Sequence, residues 1–437
     1  MKILLIRIKT EGFPVPLSDI PLGLLYIAAA CENAGAEVVM RDLNRQEIEP
    51  ELLDDIETGE IDIIGFSMLS FVRSEAYRMI NEFKALNPNV KIVVGGIHAT
   101  SCHKEIMEHY PVDVCVIGEG EGAIAELIES WSNGESIEWV TGIRSKEHGL
   151  HESRRLNKNL DNYLGPAWHH TQFDWYKMCV ATLISDRVIN GVTLGQARWA
   201  PIIASRGCIG RCIFCNAWEH WGSVVRLRSA WDIVNEMEYL NKKYNIELFA
   251  FNDDAFPLQR KQCLDVCNMI IERDLKIAWQ TTTRGDTLDD ELCEAMRESG
   301  CFMVAVGVES GSEIIHQHLN KKLDLKKAER SLQMIREHGM ISYALMMIGN
   351  PGECEQSIQD TIEFMKRAKP NWYSFVRGVM IVPGTPICDM AIESGQITND
   401  IWTEPDANGM PLYTGECSME QINEWAYRIE REIPKCL

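Results

Sequence analysis

The sequence predicts an α/β protein of two parallel-sheet domains: an amino-terminal doubly wound sheet, then a partial (β/α)6 barrel and a short helical tail. Two observations carry this expectation. Short apolar runs alternate with helix-length stretches in two blocks, five runs in the first and six in the second. Between the blocks, over residues 133–200, the pattern loosens into polar and aromatic residues such as Leu164-Gly165-Pro166-Ala167-Trp168, the composition of a linker wrapping between domains.

In chain order, the first-block strands are expected at Lys2 to Ile6, Glu37 to Met40, Ile61 to Ser67, Lys91 to Val94 and Val114 to Ile117. Doubly wound sheets bind ligands beyond the carboxyl ends of their strands. The segments there are small or glycine-bearing: Pro21-Leu22-Gly23, Ser67-Met68-Leu69-Ser70, Gly95-Gly96-Ile97-His98 and Gly118-Glu119-Gly120-Glu121. The second block places strands at Ile202 to Ser205, Leu248 to Asn252, Ala278 to Thr282, Met303 to Val308, Ala344 to Ile348 and Tyr373 to Met380. The resulting division is 1–132, a linker over 133–200, a barrel over 201–386 and a tail over 387–437 with a helix from Ser418 to Glu432.

Composition narrows the function. With 43 basic against 64 acidic residues the formal charge is −21, which disfavours a nucleic-acid partner. No stretch approaches the roughly 18 apolar residues of a membrane helix, and Met1 to Ile8 is too short for a signal segment, so the expected location is the cytoplasm. The 15 cysteines would there be reduced, which makes metal ligation a better question than disulfides.

Three of them stand apart, in Ser205-Arg206-Gly207-Cys208-Ile209-Gly210-Arg211-Cys212-Ile213-Phe214-Cys215-Asn216. Three thiolates in one compact loop suit an iron–sulfur cluster better than zinc, which usually takes ligand pairs from separated places. A structural zinc site or a chance cysteine group is the plain alternative. Three ligands for a 4Fe-4S cluster leave one iron open to bind a small molecule.

The spacing Cys-x3-Cys-x2-Cys, with Phe214 before the last cysteine, resembles the signature loop of the radical S-adenosylmethionine (SAM) superfamily. That resemblance implies a 4Fe-4S cluster on Cys208, Cys212 and Cys215, and SAM beside Phe214, Asp253, Asp254, Arg284, Glu309, Gly349 and Asn350 at the strand tips. Taken singly, Asp253 and Asp254 also read as helix caps, and Glu309 as a buried carboxylate paired with Arg284. The closing turn is Pro383-Gly384-Thr385-Pro386.

A doubly wound, Rossmann-like domain before such a barrel resembles the cobalamin-binding class of that superfamily, through Pro21 to Ala29, Val94 to Ala99, Ile117 to Glu121 and Pro166-Ala167-Trp168. The implied cobalamin contacts are Pro21, Leu22, Gly23, Ser67, Met68, Leu69, Gly95, Gly96, Ile97, Gly118, Glu119 and Gly120. One departure is evident. Arg41-Asp42-Leu43-Asn44-Arg45-Gln46, read as the counterpart of the cobalt-ligating Asp-x-His-x-x-Gly stretch, has no histidine, so no protein ligand to cobalt is expected from it. His98 reads as a helix-capping or solvent-facing residue. Trp168, Trp199, Trp218 and Trp221 read as packing residues.

The resemblance implies reductive cleavage of SAM to a 5′-deoxyadenosyl radical, then C-methylation of an unactivated carbon of a small or extended substrate through methylcobalamin. An external one-electron reductant such as flavodoxin or ferredoxin is implied as partner. The same two domains also suit a cobalamin-assisted cyclisation, rearrangement or oxidation without methyl transfer. A non-catalytic iron–sulfur carrier is the alternative of a different class. No catalytic side chain is singled out.

Overall fold

The structure is a computed structural model and describes residues 1–437 except 11–18, 223, 406, 408, 416 and 434–437. The amino-terminal sheet is built from β1 (Lys2–Arg7), β2 (Glu37–Asp42), β3 (Ile63–Ser67), β4 (Lys91–Gly95) and β5 (Val114–Val116). These pair in parallel in the order β2-β1-β3-β4-β5, a doubly wound arrangement. Helices α1 (Leu22–Asn33), α2 (Pro50–Thr58), α3 (Arg73–Leu86), α4 (Ile97–His109) and α5 (Glu121–Asn133) make the crossovers. Because both faces of the sheet are covered, β1, β3 and β5 are almost wholly apolar runs without polar alternation.

The sheet continues into the expected linker. Two short strands, β6 (Ile143–Ser145) and β7 (Gly149–Leu150), add antiparallel at its β5 edge. Strands of three and two residues carry too little period-2 pattern to be seen in sequence. The remaining linker holds three 3-10 turns, α6 (Cys179–Leu183) and a hairpin of β8 (Val188–Ile189) and β9 (Val192–Thr193).

The second sheet is β10 (Arg198–Ile202), β13 (Ile246–Phe251), β14 (Ala278–Thr283), β15 (Cys301–Glu309), β16 (Ile341–Ile348) and β17 (Trp372–Arg377), six parallel strands in sequential order. Its first strand lies earlier than the expected Ile202 to Ser205. Pro201 suggested a strand start, but β10 is an edge strand, where a residue without N–H is tolerated. Ser205 falls instead in a separate two-residue ladder, β11 (Ser205–Arg206) against β12 (Arg226–Leu227).

The tail joins the two domains. Its last helix, Met419–Glu432, buries Ile422, Trp425, Ala426 and Ile429 against the barrel core. Upstream, Ile381, Cys388, Ala391, Ile397 and Trp402 complete an apolar cluster of the amino-terminal domain. Arg73, 1% exposed, donates to the carbonyls of Ile401 and Gly409 and fastens this segment.

Candidate active site

Two sites meet at the carboxyl ends of the sheets. The first is the loop closed at its base by β11 and β12. Gly207 turns at φ +98°, where a Cβ would lie 3.0 Å from the Val224 carbonyl oxygen, so glycine is needed directly before Cys208. A Cβ on Gly210 would stand 3.5 Å from Cys208 Sγ, 3.6 Å from Cys212 Sγ and 3.2 Å from Arg284 Nη1, so two thiols and a guanidinium converge on one small residue. Burial pushes the Cys212 thiol up, opposed by the nearby Lys321 and Arg284 cations; burial takes Cys215 up to about 11. A thiophilic metal centre would bind such thiols as thiolates. Three convergent unbridged thiols beside two cations suit an anionic iron–sulfur cluster.

The expected SAM residues separate into two groups. Phe214 packs beside Met347 above the barrel, Arg284 donates to the Lys322 carbonyl at 2.7 Å next to the cysteine loop, and Glu309 sits at the tip of β15. Glu309 adopts φ +68°, a left-handed conformation rarely held by a non-glycine residue and typical of functional strand ends. Its partner is Lys321, at 2.7 Å, and not Arg284. Asp254 is exposed at the end of β13, its carboxylate bonded to the Gly207 backbone and Trp221.

Three residues point elsewhere. Asp253 is buried and accepts from Ala204 N–H and the Ser205 hydroxyl, so it braces the start of the cysteine loop and caps no helix. Asn350 is fully buried, its amide N–H2 spent on the Met347 carbonyl and Glu353. Gly349, at φ +90°, faces Ile422 of the tail helix, where a Cβ would approach to 2.6 Å. The turn after β16 is therefore shaped by packing under the tail, which the strand-tip pattern did not reveal.

The second site is a pocket over the ends of β1, β3, β4 and β5 between α1 and α5. It is lined by Gly23, Ser67, Gly95, Gly96, Gly118, Glu119 and Gly120, as expected from sequence. Its depth comes from missing side chains. A Cβ on Gly65 would meet Leu5 Cδ2 at 2.7 Å, and one on Gly120 would meet Ile27 Cδ1 at 2.8 Å. Such a glycine-floored apolar slot beside a polar mouth fits the flat nucleotide base and amide-bearing ring of a corrinoid. Not all expected contacts line it. The Leu22 side chain packs into the core shared with the barrel, and Met68 and Leu69 join the core on the other side of the sheet. Pro21 and Ile97 stand at the starts of α1 and α4, outside the lining.

His98 is neither a cap nor solvent-facing: it is fully buried, with Nδ1 3.0 Å from Ser70 Oγ and Nε2 2.8 Å from Tyr77 OH. The stretch Arg41 to Gln46 covers the end of edge strand β2 and the turn after it, outside the pocket lining, and Asp42 there accepts from Arg7 and from Tyr176 of the linker. Its lack of histidine therefore says nothing about the pocket.

Sequence reasoning missed the barrel's share of the wall. Arg206, His220 and Trp221 line the pocket, the last two from α7 (Ala217–Trp221), the short helix directly after Cys215. The signal available was proximity: Arg206 stands two residues before Cys208 and Trp221 six after Cys215. Trp168 and Trp199 do pack, at 4% and 2% exposure, and Trp218 stacks under Arg211, whereas Trp221 faces the pocket.

Comparisons with known proteins follow the same division. Residues 15–128 match the family model of the B12 binding domain, and residues 202–365 that of the radical SAM superfamily. An uncharacterized methyltransferase of Pyrococcus horikoshii is 27% identical over 97% of this chain and 90% of its own length. An anaerobic magnesium-protoporphyrin IX monomethyl ester cyclase of Rubrivivax gelatinosus is 24% identical over 80% of this chain, but only 63% of that protein is covered. In fold, the chain matches the radical SAM methyltransferase TsrM of Kitasatospora setae, solved with cobalamin and a [4Fe-4S] cluster, with a TM-score of 0.76 at 18% identity, covering 99% of this chain and 89% of that one. The chain thus combines a B12-binding domain with a radical SAM domain, in that order.

Proposed function

We propose that this protein is a cobalamin-dependent radical SAM methyltransferase acting on an unactivated carbon of a small or extended substrate. The observation that carries the proposal is the shared wall: α7 leaves Cys215 and delivers His220 and Trp221 into the glycine-floored pocket, so the two cofactor sites lie side by side. When bound, the cluster and SAM supply a 5′-deoxyadenosyl radical, and methylcobalamin supplies a transferable methyl group.

The chain's own residues hold and orient. Cys208, Cys212 and Cys215 bind the cluster, and Arg284 and Lys321 offset its negative charge. Glu309, held by Lys321 at the tip of β15, is assigned to accept hydrogen bonds from SAM, and Phe214 and Asp254 are assigned to the same ligand. Gly23, Ser67, Gly95, Gly96, Gly118 and Gly120 leave room for cobalamin. An external flavodoxin or ferredoxin is the proposed electron source, in the cytoplasm. Among the described residues no helix is long and apolar enough to cross a membrane.

The test is anaerobic reconstitution with iron, sulfide and hydroxocobalamin, followed by methyl-labelled SAM and dithionite. Formation of 5′-deoxyadenosine together with label in a product heavier by one methylene is expected. The cyclase relative favours a second reading, ring closure without methyl transfer, for which the product would instead lose two hydrogens. That relative extends well beyond the stretch this chain matches, whereas the methyltransferase relative is matched along 90% of its length, which favours methylation.

A further inference from the structure

The cysteine loop begins and ends at one point. Arg206 of β11 stands directly across from Arg226 of β12 in a ladder only two residues long, and everything between them is the loop and α7. Like charges directly opposite on paired strands destabilise the pairing. Both side chains are buried, Arg206 at 5% and Arg226 at 4% exposure, so solvent screens their repulsion little.

A carboxylate from the other domain closes this base. Glu119 Oε1 takes the Arg226 guanidinium, and Glu119 Oε2 lies 3.1 Å from Arg206 Nη1 and 2.6 Å from the Tyr163 hydroxyl that donates to it. Glu121 takes Arg206 Nη2 at 2.5 Å, which balances the second positive charge. Glu119 belongs to the turn Gly118-Glu119-Gly120 that lines the amino-terminal pocket, and Arg206 lines the same pocket among the rings of Tyr26, Tyr163 and Trp221. Arg206 Nη1 stands 3.1 Å from Glu119 Oε2 but off hydrogen-bond alignment, and among the described residues no other acceptor reaches it, so it keeps an N–H to give. A pocket ligand rich in amide carbonyls, as the corrin rim is, supplies an acceptor.

We propose that Glu119, Arg206 and Arg226 form a clasp that couples filling of the amino-terminal pocket by a corrinoid to the geometry of the loop bearing Cys208, Cys212 and Cys215. The clasp residues are positioning residues: the corrinoid, by taking Arg206 Nη1 and ordering the Gly118 to Gly120 turn, fixes the base from which the cysteines project. The proposal rests on the assignment of cobalamin to the pocket and of the cluster to the loop. Linkage makes the coupling reciprocal, so cluster loading must tighten corrinoid binding by the same factor that the corrinoid favours the loaded loop.

The experiment titrates full-length protein, with and without its cluster, with hydroxocobalamin and reads binding by absorbance. The wild type is expected to bind about 5- to 150-fold more tightly when the cluster is present, the usual range of such coupling. In Glu119→Gln the ratio falls towards one, and Glu119→Asp restores part of it. Gly65→Ala, which crowds the pocket against Leu5 and touches no clasp residue, weakens binding in both states and leaves the ratio unchanged. In cluster-loaded protein the corrinoid is also expected to shift the cluster's reduction potential and electron paramagnetic resonance signal in wild type and not in Glu119→Gln. Where Glu119→Gln does not fold, Arg226→Lys, which keeps the charge and loses the forked geometry, carries the same comparison. Equal ratios in wild type and variants, or a wild-type ratio of one, overturn the clasp while leaving both cofactor assignments standing. Failure of cluster-loaded wild type to bind any hydroxocobalamin removes the cofactor assignment and the clasp together.

Discussion

The Ser205 hydroxyl donates a 2.5 Å hydrogen bond to Asp253, joining the loop after β13 to the start of the cysteine loop inside a buried site. Burial, only partly offset by the bonds from Ser205 and Ala204, pushes the Asp253 carboxyl up to about 7. The folded chain therefore keeps a proton that the unfolded chain releases near pH 4. Stability from this group is full below about pH 4, falls as pH rises towards 7, and is flat above. The span amounts to on the order of 4 kcal/mol. Asp253→Asn keeps an acceptor without a charge, so its melting temperature relative to wild type is expected to be higher at pH 8 than at pH 5. Parallel anaerobic melts at the two values check it, and an unchanged difference would count against a neutral Asp253.

Removing any one of Cys208, Cys212 and Cys215 should abolish the cluster. Cys208→Ala, Cys212→Ala and Cys215→Ala are each expected to lose most bound iron and sulfide and all 5′-deoxyadenosine formation. Cys354→Ala, at an exposed thiol elsewhere in the chain, should retain both. Iron and sulfide quantitation beside product chromatography decides the matter.

How much of this site could be read from sequence depended on the kind of interaction. The cysteine loop and the glycines at the ends of β1, β3, β4 and β5 are local patterns, and the pocket lining contains Gly23, Gly95, Gly96, Gly118 and Gly120 as expected. Direction was not legible. Asp253 and Asn350 stand at strand tips but turn inward, because Ala204, Ser205 and Glu353, distant or unremarkable in sequence, offer them partners. His98 likewise looked like an end-of-strand residue until Tyr77 and Ser70 enclosed it. Arg206 was hidden for a different reason: its importance comes from Glu119, 87 residues away and in another domain.

The slot between α1 and α5 makes a steric prediction. Gly65→Val places branched carbons where a Cβ alone would already press on Leu5 Cδ2, at the floor of the pocket. Cobalamin affinity is expected to fall at least about tenfold, an energy of roughly 1.4 kcal/mol. Cluster content after reconstitution without corrinoid should change little, since the Gly65 substitution crowds only Leu5 and acts on the cysteine loop solely through corrinoid binding. A variant that binds hydroxocobalamin like wild type would place the nucleotide base elsewhere.

The Glu309 and Lys321 pair is nearly enclosed, with side-chain exposures of 13% and 7%. Removing one partner of a buried pair strands the other charge, at a typical cost of about 3–5 kcal/mol. Lys321→Met should therefore melt well below wild type, and the double variant Lys321→Met with Glu309→Gln should recover part of the loss. The single variant Glu309→Gln is expected to raise the SAM concentration needed for half-maximal cleavage. Additive losses in the double variant would show that the two side chains do not act as a pair.

His98 gives the amino-terminal domain an acid-labile bond to the tail. Tyr77 has one hydroxyl proton and donates it to the Trp402 carbonyl at 2.9 Å, so it accepts from His98 Nε2–H, and Nδ1 accepts from Ser70. That fixes a neutral imidazole. Burial, aided by the charge of Arg73, lowers its pKa to about 3. The unfolded chain takes up a proton near pH 6.5 that the folded chain refuses, so the stabilisation is full above that value and is lost as pH falls towards 3. Amide hydrogen exchange at Ile401 to Thr403 is accordingly expected to accelerate between pH 6.5 and 4, beyond its intrinsic pH dependence. His98→Phe should exchange faster at pH 7, because Ser70 and Tyr77 lose a partner at about 1–3 kcal/mol, yet show a shallower acid response. A His98→Phe profile parallel to wild type would mean that the tail is released by some other titrating group.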